Sequence, residues 1–139
     1  MTGRAPYKAI VTNGFVLDGK GYKMSKSMGN FVSGDDGIAA YGADILRMWV
    51  FSSTYTEDMK FSIEGLKQTA EIYRRLRNTL RYILGGLAGF TEAEKVAPHD
   101  MPELERYMLH QIQQLDGKLR AAIKDFDLTE AVHLLNSFC

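Results

Sequence analysis

Apolar residues in the second half of the chain recur at intervals of three and four. Leu66, Ala70, Tyr73, Leu76, Leu80, Ile83 and Leu87 form one such series, the spacing of a single helix face. Ser62 stands where an N-cap is needed and Glu64 falls in the first turn, so a long helix is expected from there. Gly89 is the expected stop, with Gly85-Gly86 fraying the last turn. Residues 91–100 are polar, contain Pro98, and read as a linker. Pro102 suits a first helical position. Leu104, Tyr107, Met108, Ile112, Leu115, Leu119, Ala122 and Ile123 then predict a second amphipathic helix. Asp127, with Glu130 three residues on, has capping-box spacing and opens a third. Short connections favour antiparallel neighbours.

The first sixty residues follow no such period. Residues 7–12, YKAIVT, read as a short apolar strand with no earlier partner. Asn13-Gly14 and Asp18-Gly19 are turn dipeptides bracketing Phe15-Val16-Leu17, and predict a tight hairpin-like excursion. Glycines at 19, 21 and 29 surround a lysine-bearing stretch, expected to be a flexible loop. Ser33-Gly34-Asp35-Asp36 offers a start for a short helix over 37–41, which Gly42 breaks. Residues 44–51 are apolar on several faces and predict a buried helix, with Trp49 and Phe51 as core. Residues 53–58 are polar and turn-rich. The fold class expected is mainly α. A short α/β segment (1–60) carries the lysine loop, and an incomplete antiparallel helical bundle (61–139) follows. The last residues, HLLNSFC, lie in an apolar run without a cap. The chain is therefore read as a piece of a larger protein.

Composition adds exclusions. Lys+Arg and Asp+Glu both number 17, so there is no polyanion-binding tail, although a local basic face stays open. One cysteine, Cys139, rules out an internal disulfide, and His99, His110 and His133 lack ligand spacing, so no metal site is expected. The first residues hold no long apolar run. A cytoplasmic, monomeric protein without a membrane partner is the simplest expectation.

Residues 22–30 read YKMSKSMGN. Two mobile lysines amid small hydroxylated residues suit a polyphosphate whose charge grows as a bond breaks. A rival spacing, Gly14 through Lys20, mimics a P-loop, but Gly21 stands where Ser or Thr must hold magnesium, and no long helix follows.

The string Lys23-Met24-Ser25-Lys26-Ser27 is the KMSKS motif of class I aminoacyl-tRNA synthetases, letter for letter. Asn13-Gly14-Phe15 before it, and Tyr41-Gly42-Ala43-Asp44-Ile45-Leu46-Arg47 after it, also resemble that family. The run through Met48-Trp49-Val50, with Tyr73-Arg74-Arg75-Leu76-Arg77-Asn78-Thr79, is closest to its isoleucine branch. The resemblance covers nearly the whole chain. It implies an enzyme that activates isoleucine with ATP, Mg2+ accompanying the nucleotide, and transfers it to tRNA(Ile). Lys23, Met24, Ser25, Lys26 and Ser27 would bind ATP, with Lys23 and Lys26 stabilising the leaving pyrophosphate.

The helices after the loop would begin an anticodon-binding bundle. Lys67, Arg74 and Arg81 fall seven apart, and Arg74, Arg77 and Arg81 are the candidate tRNA contacts, set against pairing with neighbouring acids. Tyr73 is expected in the core. Two departures stand out: Asn13 replaces the family's usual His, and Gly34 a frequent Pro. The sequence holds no His-x-Gly-His element, so this chain alone is expected not to activate isoleucine. Alternatives are a valine- or leucine-branch fragment, or a free-standing tRNA- or protein-binding helical module.

Overall fold

The computed structural model describes residues 3–139. It is mainly helical, with one two-stranded sheet. In chain order the elements are β1 (Val16–Leu17), α1 (Gly34–Tyr41), α2 (Ala43–Phe51), β2 (Met59–Lys60), α3 (Ile63–Gly86), α4 (Glu103–Lys124) and α5 (Leu128–Phe138).

Local chemistry accounts for most boundaries. The Ser33 hydroxyl accepts from the Asp36 N–H while the Asp36 carboxylate accepts from the Ser33 N–H, a reciprocal box that starts α1 at Gly34. The helix thus begins three residues earlier than the sequence suggests. Gly42 adopts φ +91°, which ends α1 and lets α2 start at once in a new direction. The Ser62 hydroxyl accepts from the Gly65 N–H at 3.1 Å and caps α3. That helix runs through Gly85 and Gly86, and Gly89, at φ +82°, turns the chain beyond it. Pro102 sits at the N-cap of α4, one position before the expected site. The Asp127 carboxylate accepts from the Glu130 N–H at 3.0 Å and starts α5.

The strands differ from expectation. Residues 7–12 form no strand, and Tyr7, Ile10 and Val11 are exposed, because no strand among the described residues lies alongside to take their backbone groups. The turn at Asp18 is present: Asp18 donates to the Tyr22 carbonyl, and Leu17 bridges Lys23 antiparallel. The main partner of β1, however, is β2, in parallel register, Val16 opposite Met59 and Leu17 opposite Lys60. Asn13-Gly14 is a point of backbone approach: the Gly14 N–H donates to the Tyr55 carbonyl at 2.9 Å. A Cβ at Gly14 would lie 2.2 Å from the Glu57 carbonyl carbon and oxygen.

The core gathers where α1, α2 and the first half of α3 meet. Phe61, Leu66, Thr69 and Ala70 are buried there, Leu66 completely. Trp49 meets Phe61 edge-on, ring centres 5.0 Å apart. No residue of α2 is fully buried, and Phe51 is exposed, so α2 is a covering helix rather than the buried one expected. Leu80, Ile83 and Leu84, on the far half of α3, and Leu87 at its C-cap are exposed. Ala122 of α4 and Ala131 of α5 are buried, these helices packing together while α5 also touches α2 and α3.

Two substitutions test this arrangement. Leu66→Ala empties a fully enclosed site and is expected to cost about 2–5 kcal/mol by denaturant titration. Gly14→Ala forces β1 off the Glu57–Asp58 backbone and is expected to cost about 1–3 kcal/mol, an overpacking penalty. A Gly14→Ala variant as stable as the parent would contradict the close approach.

Candidate functional site

The lysine loop hangs from β1 by hydrogen bonds. After the Leu17–Lys23 bridge the chain extends to Ser25, then makes a single 3-10 turn over Lys26–Met28, closed by Gly29 at φ +67°. Inside the loop one acid and one amide do most of the bracing. The Asp18 Oδ1 accepts from the Lys20 and Tyr22 N–H groups at 3.0 and 2.8 Å, and its Oδ2 accepts from the Asn30 side-chain amide at 2.9 Å. Asn30 in turn accepts from the Ser25 N–H at 2.9 Å and donates to the Lys23 carbonyl at 3.3 Å. The two ends of the loop, Asp18 and Asn30, are therefore tied directly. The Asn30 amide, then the Tyr22 N–H, holds the Asp18 carboxyl below its usual pKa.

The brace leaves the functional groups outward. Lys23 and Lys26 are exposed, and neither forms an ion pair among the described residues. The Lys23 Nζ lies 5.3 Å from the centre of the Phe15 ring, and the Lys26 Nζ 5.7 Å from that of Phe31, within cation–π range. The Ser25 and Ser27 hydroxyls are hydrogen-bonded to each other at 2.7 Å. Met24 is half-buried. All five motif residues thus lie on one braced loop, Lys26 and Ser27 on its 3-10 turn. The loop offers an anion two mobile cations and two hydroxyls. It does not offer a magnesium ion a carboxylate: Asp18 is occupied on both oxygens, and no cluster of three or more metal-ligating side chains occurs among the described residues. The loop residues do not fit a metal.

The basic residues of α3 divide. Arg74 is ion-paired to Glu71 at 2.6 Å, the pairing with an acid weighed above. Arg77 and Arg81 form no ion pair among the described residues. They edge a groove of about 480 Å³ walled by Met48, Leu76, Leu80 and Leu84. Tyr73 lines the same groove and is half-buried. Sequence reasoning missed Asp18 and Asn30 as a brace, and Phe15 and Phe31 as lysine supports. The Asp-Gly turn and the Gly29-Asn30 pair were the visible signals, but a 12-residue side-chain contact leaves no periodic trace.

Known proteins resemble this chain in both sequence and fold. Residues 1–62 match the family described as tRNA synthetases class I (I, L, M and V). The chain is similar to that class over those residues. Within it, the similarity runs to isoleucine–tRNA ligases: 50% identity over 137 residues with that of Gluconobacter oxydans, and 50% over 136 residues with that of Zymomonas mobilis. These alignments take in 99% and 98% of the chain but only 14% of each relative. The fold is similar to the Agrobacterium radiobacter LeuRS in its ternary complex with tRNA and LeuAMS, with a TM-score of 0.76 and 25% identity. That match covers 90% of this chain and 17% of the other.

Two measurements check the brace. Asn30→Ala is expected to speed tryptic cleavage after Lys23 and Lys26 by about tenfold, the scale of a lost hydrogen-bond set. Because the folded Asp18 pKa is depressed, its support is complete above the ordinary carboxylate range and disappears as pH falls through the lowered value. The Lys20 and Tyr22 amide resonances are expected to titrate below that range. A midpoint at the ordinary aspartate value would contradict the brace.

Proposed function

We propose that the chain is the part of an isoleucine–tRNA ligase that supplies the ATP and pyrophosphate loop and the first portion of the tRNA-binding helices. The observation that carries this is the braced Lys23-Met24-Ser25-Lys26-Ser27 loop, with neither ammonium group ion-paired among the described residues. Near-full-length similarity of the chain to isoleucine–tRNA ligases supports the choice of amino acid. The whole enzyme joins isoleucine to tRNA in two steps. An isoleucine carboxylate oxygen attacks the α-phosphorus of ATP, the bond to the β-phosphate oxygen breaks, and pyrophosphate leaves with the electron pair. A hydroxyl of the terminal ribose of tRNA then attacks the isoleucyl carbonyl, and AMP leaves.

This chain's contribution is electrostatic. As the phosphoanhydride bond breaks, negative charge accumulates on the departing pyrophosphate. Lys26 and Lys23 swing from their phenylalanine rings to that charge, which is greatest in the transition state, so they accelerate the step rather than merely bind ATP. The serine hydroxyls supply further donors to the phosphates. Magnesium, when bound with ATP, screens phosphate charge, and its ligands lie outside this loop.

Residues 1–60 are the end of the catalytic domain in this reading. Residues 61–139 open an antiparallel anticodon-binding bundle. Arg77 and Arg81 meet RNA phosphates and Arg74 serves as a local helix pair first and an RNA contact second. The enzyme works in the cytoplasm, and no helix of the described residues is long and apolar enough to cross a membrane.

In the full-length protein, Lys26→Ala is expected to lower isoleucine-dependent pyrophosphate exchange by about 100-fold or more, with the fold intact by circular dichroism. An unchanged exchange rate would sink the assignment. Arg77→Ala is expected to weaken tRNA(Ile) binding and to reduce the slope of log affinity against log salt by about 1.

A further inference from the structure

The loop-bearing strand and the α4–α5 corner lie far apart in sequence, yet a single residue touches both. Tyr55 accepts the Gly14 N–H on its backbone carbonyl at 2.9 Å, just before β1. Its hydroxyl donates to the Phe126 carbonyl at 2.6 Å, across 71 residues. Thr129 adds a parallel tie, its hydroxyl donating to the Ser53 carbonyl at 3.1 Å.

The far end of this tie is unusual. Phe126 has φ +60°, the only positive φ outside glycine among the described residues. It follows α4 in a Schellman arrangement, the Asp127 N–H bonding the Ala122 carbonyl at 2.8 Å and the Phe126 N–H the Ile123 carbonyl at 3.2 Å. Glycine is the ordinary occupant of that position, and another residue persists there only where its surroundings over-determine it. Phe126 is half-exposed, so burial of its ring does not explain the choice. The conformation does turn the Phe126 carbonyl toward the Tyr55 hydroxyl. Around the tie the seam is loose: a cleft of about 300 Å³ runs between residues 54–56 and the α4–α5 corner. Hydrogen bonds rather than close packing hold this seam.

From this geometry we infer that Tyr55 is a positioning residue that straps the α4–α5 corner to the strand carrying the lysine loop. Its role is to fix the angle at which the helical half presents tRNA to the activation site. The inference rests on the synthetase reading above, since only a substrate spanning both halves would register that angle. ATP and isoleucine alone would not. The strap therefore acts on transfer to tRNA and not on adenylate formation.

The test uses the full-length protein carrying Tyr55→Phe, which removes one oxygen and keeps the ring and the backbone bond to Gly14. Pyrophosphate exchange without tRNA is expected to stay within about twofold of the parent. The kcat/KM of aminoacylation for tRNA(Ile) is expected to fall about five- to tenfold, the size of one hydrogen bond lost. Unchanged aminoacylation would overturn the strap. So would a parallel fall in both activities, which marks a purely structural role. A parent protein with no isoleucine-dependent exchange would instead overturn the synthetase reading, whatever Tyr55 does.

Discussion

The close approach of two backbones at Gly14 is the constraint on which the rest depends. Residues 14–17 run directly against residues 55–61, with Gly14, Met59 and Phe61 exchanging main-chain hydrogen bonds with Tyr55, Phe15 and Leu17. Only a residue without a Cβ fits where Gly14 meets Glu57. On one side of this contact the chain continues into β1 and the lysine loop. On the other, Phe61 enters the core against Trp49, and Ser62 starts α3 two residues after β2. One small two-stranded sheet thus connects the lysine loop to a helical platform. So short a sheet is marginal alone, and the Asp58 carboxylate reinforces it by accepting from the Phe15 N–H at 2.8 Å.

The loop resolves a conflict between order and motion. In the function proposed above, lysines that engage a charge only as it develops must move, yet a loose loop loses entropy each time it closes. The structure separates the two demands by residue. Asp18 and Asn30 restrain the backbone of the loop, while Lys23 and Lys26 carry their charge on exposed, flexible stems resting over Phe15 and Phe31. Ion pairs with carboxylates would have held the lysines more firmly and would have had to break before either could meet an anion.

Helices were the legible part of the sequence. The three-and-four spacing from Leu66 to Leu87, the Ser62 cap and the Asp127 start all appear in the structure near the expected positions. Those are local signals, carried by neighbours within one turn. The strand at 7–12 failed because an apolar run says nothing about whether a partner lies beside it. The parallel pairing of β1 with β2 spans more than forty residues and shows in no local pattern, and the Asn-Gly dipeptide that looked like a turn serves close packing instead. For the site, the five motif letters were readable at once, whereas the Asp18–Asn30 brace and the Tyr55–Phe126 tie were not. Each of those is a long-range hydrogen bond made by a side chain of ordinary type, to a carboxylate in one case and to a backbone carbonyl in the other, specified only by the fold around it.

Amide hydrogen exchange across residues 14–30 and 55–61, followed by NMR, tests the central claim that this small sheet and its brace hold the loop in place. Slow exchange is predicted at Gly14, Tyr22, Ser25, Met59 and Phe61, with fast exchange at Lys23, Lys26 and Ser27, whose amides have no such role. Uniformly fast exchange over both segments would mean that the loop is not anchored, and the account of how its lysines are presented would fall.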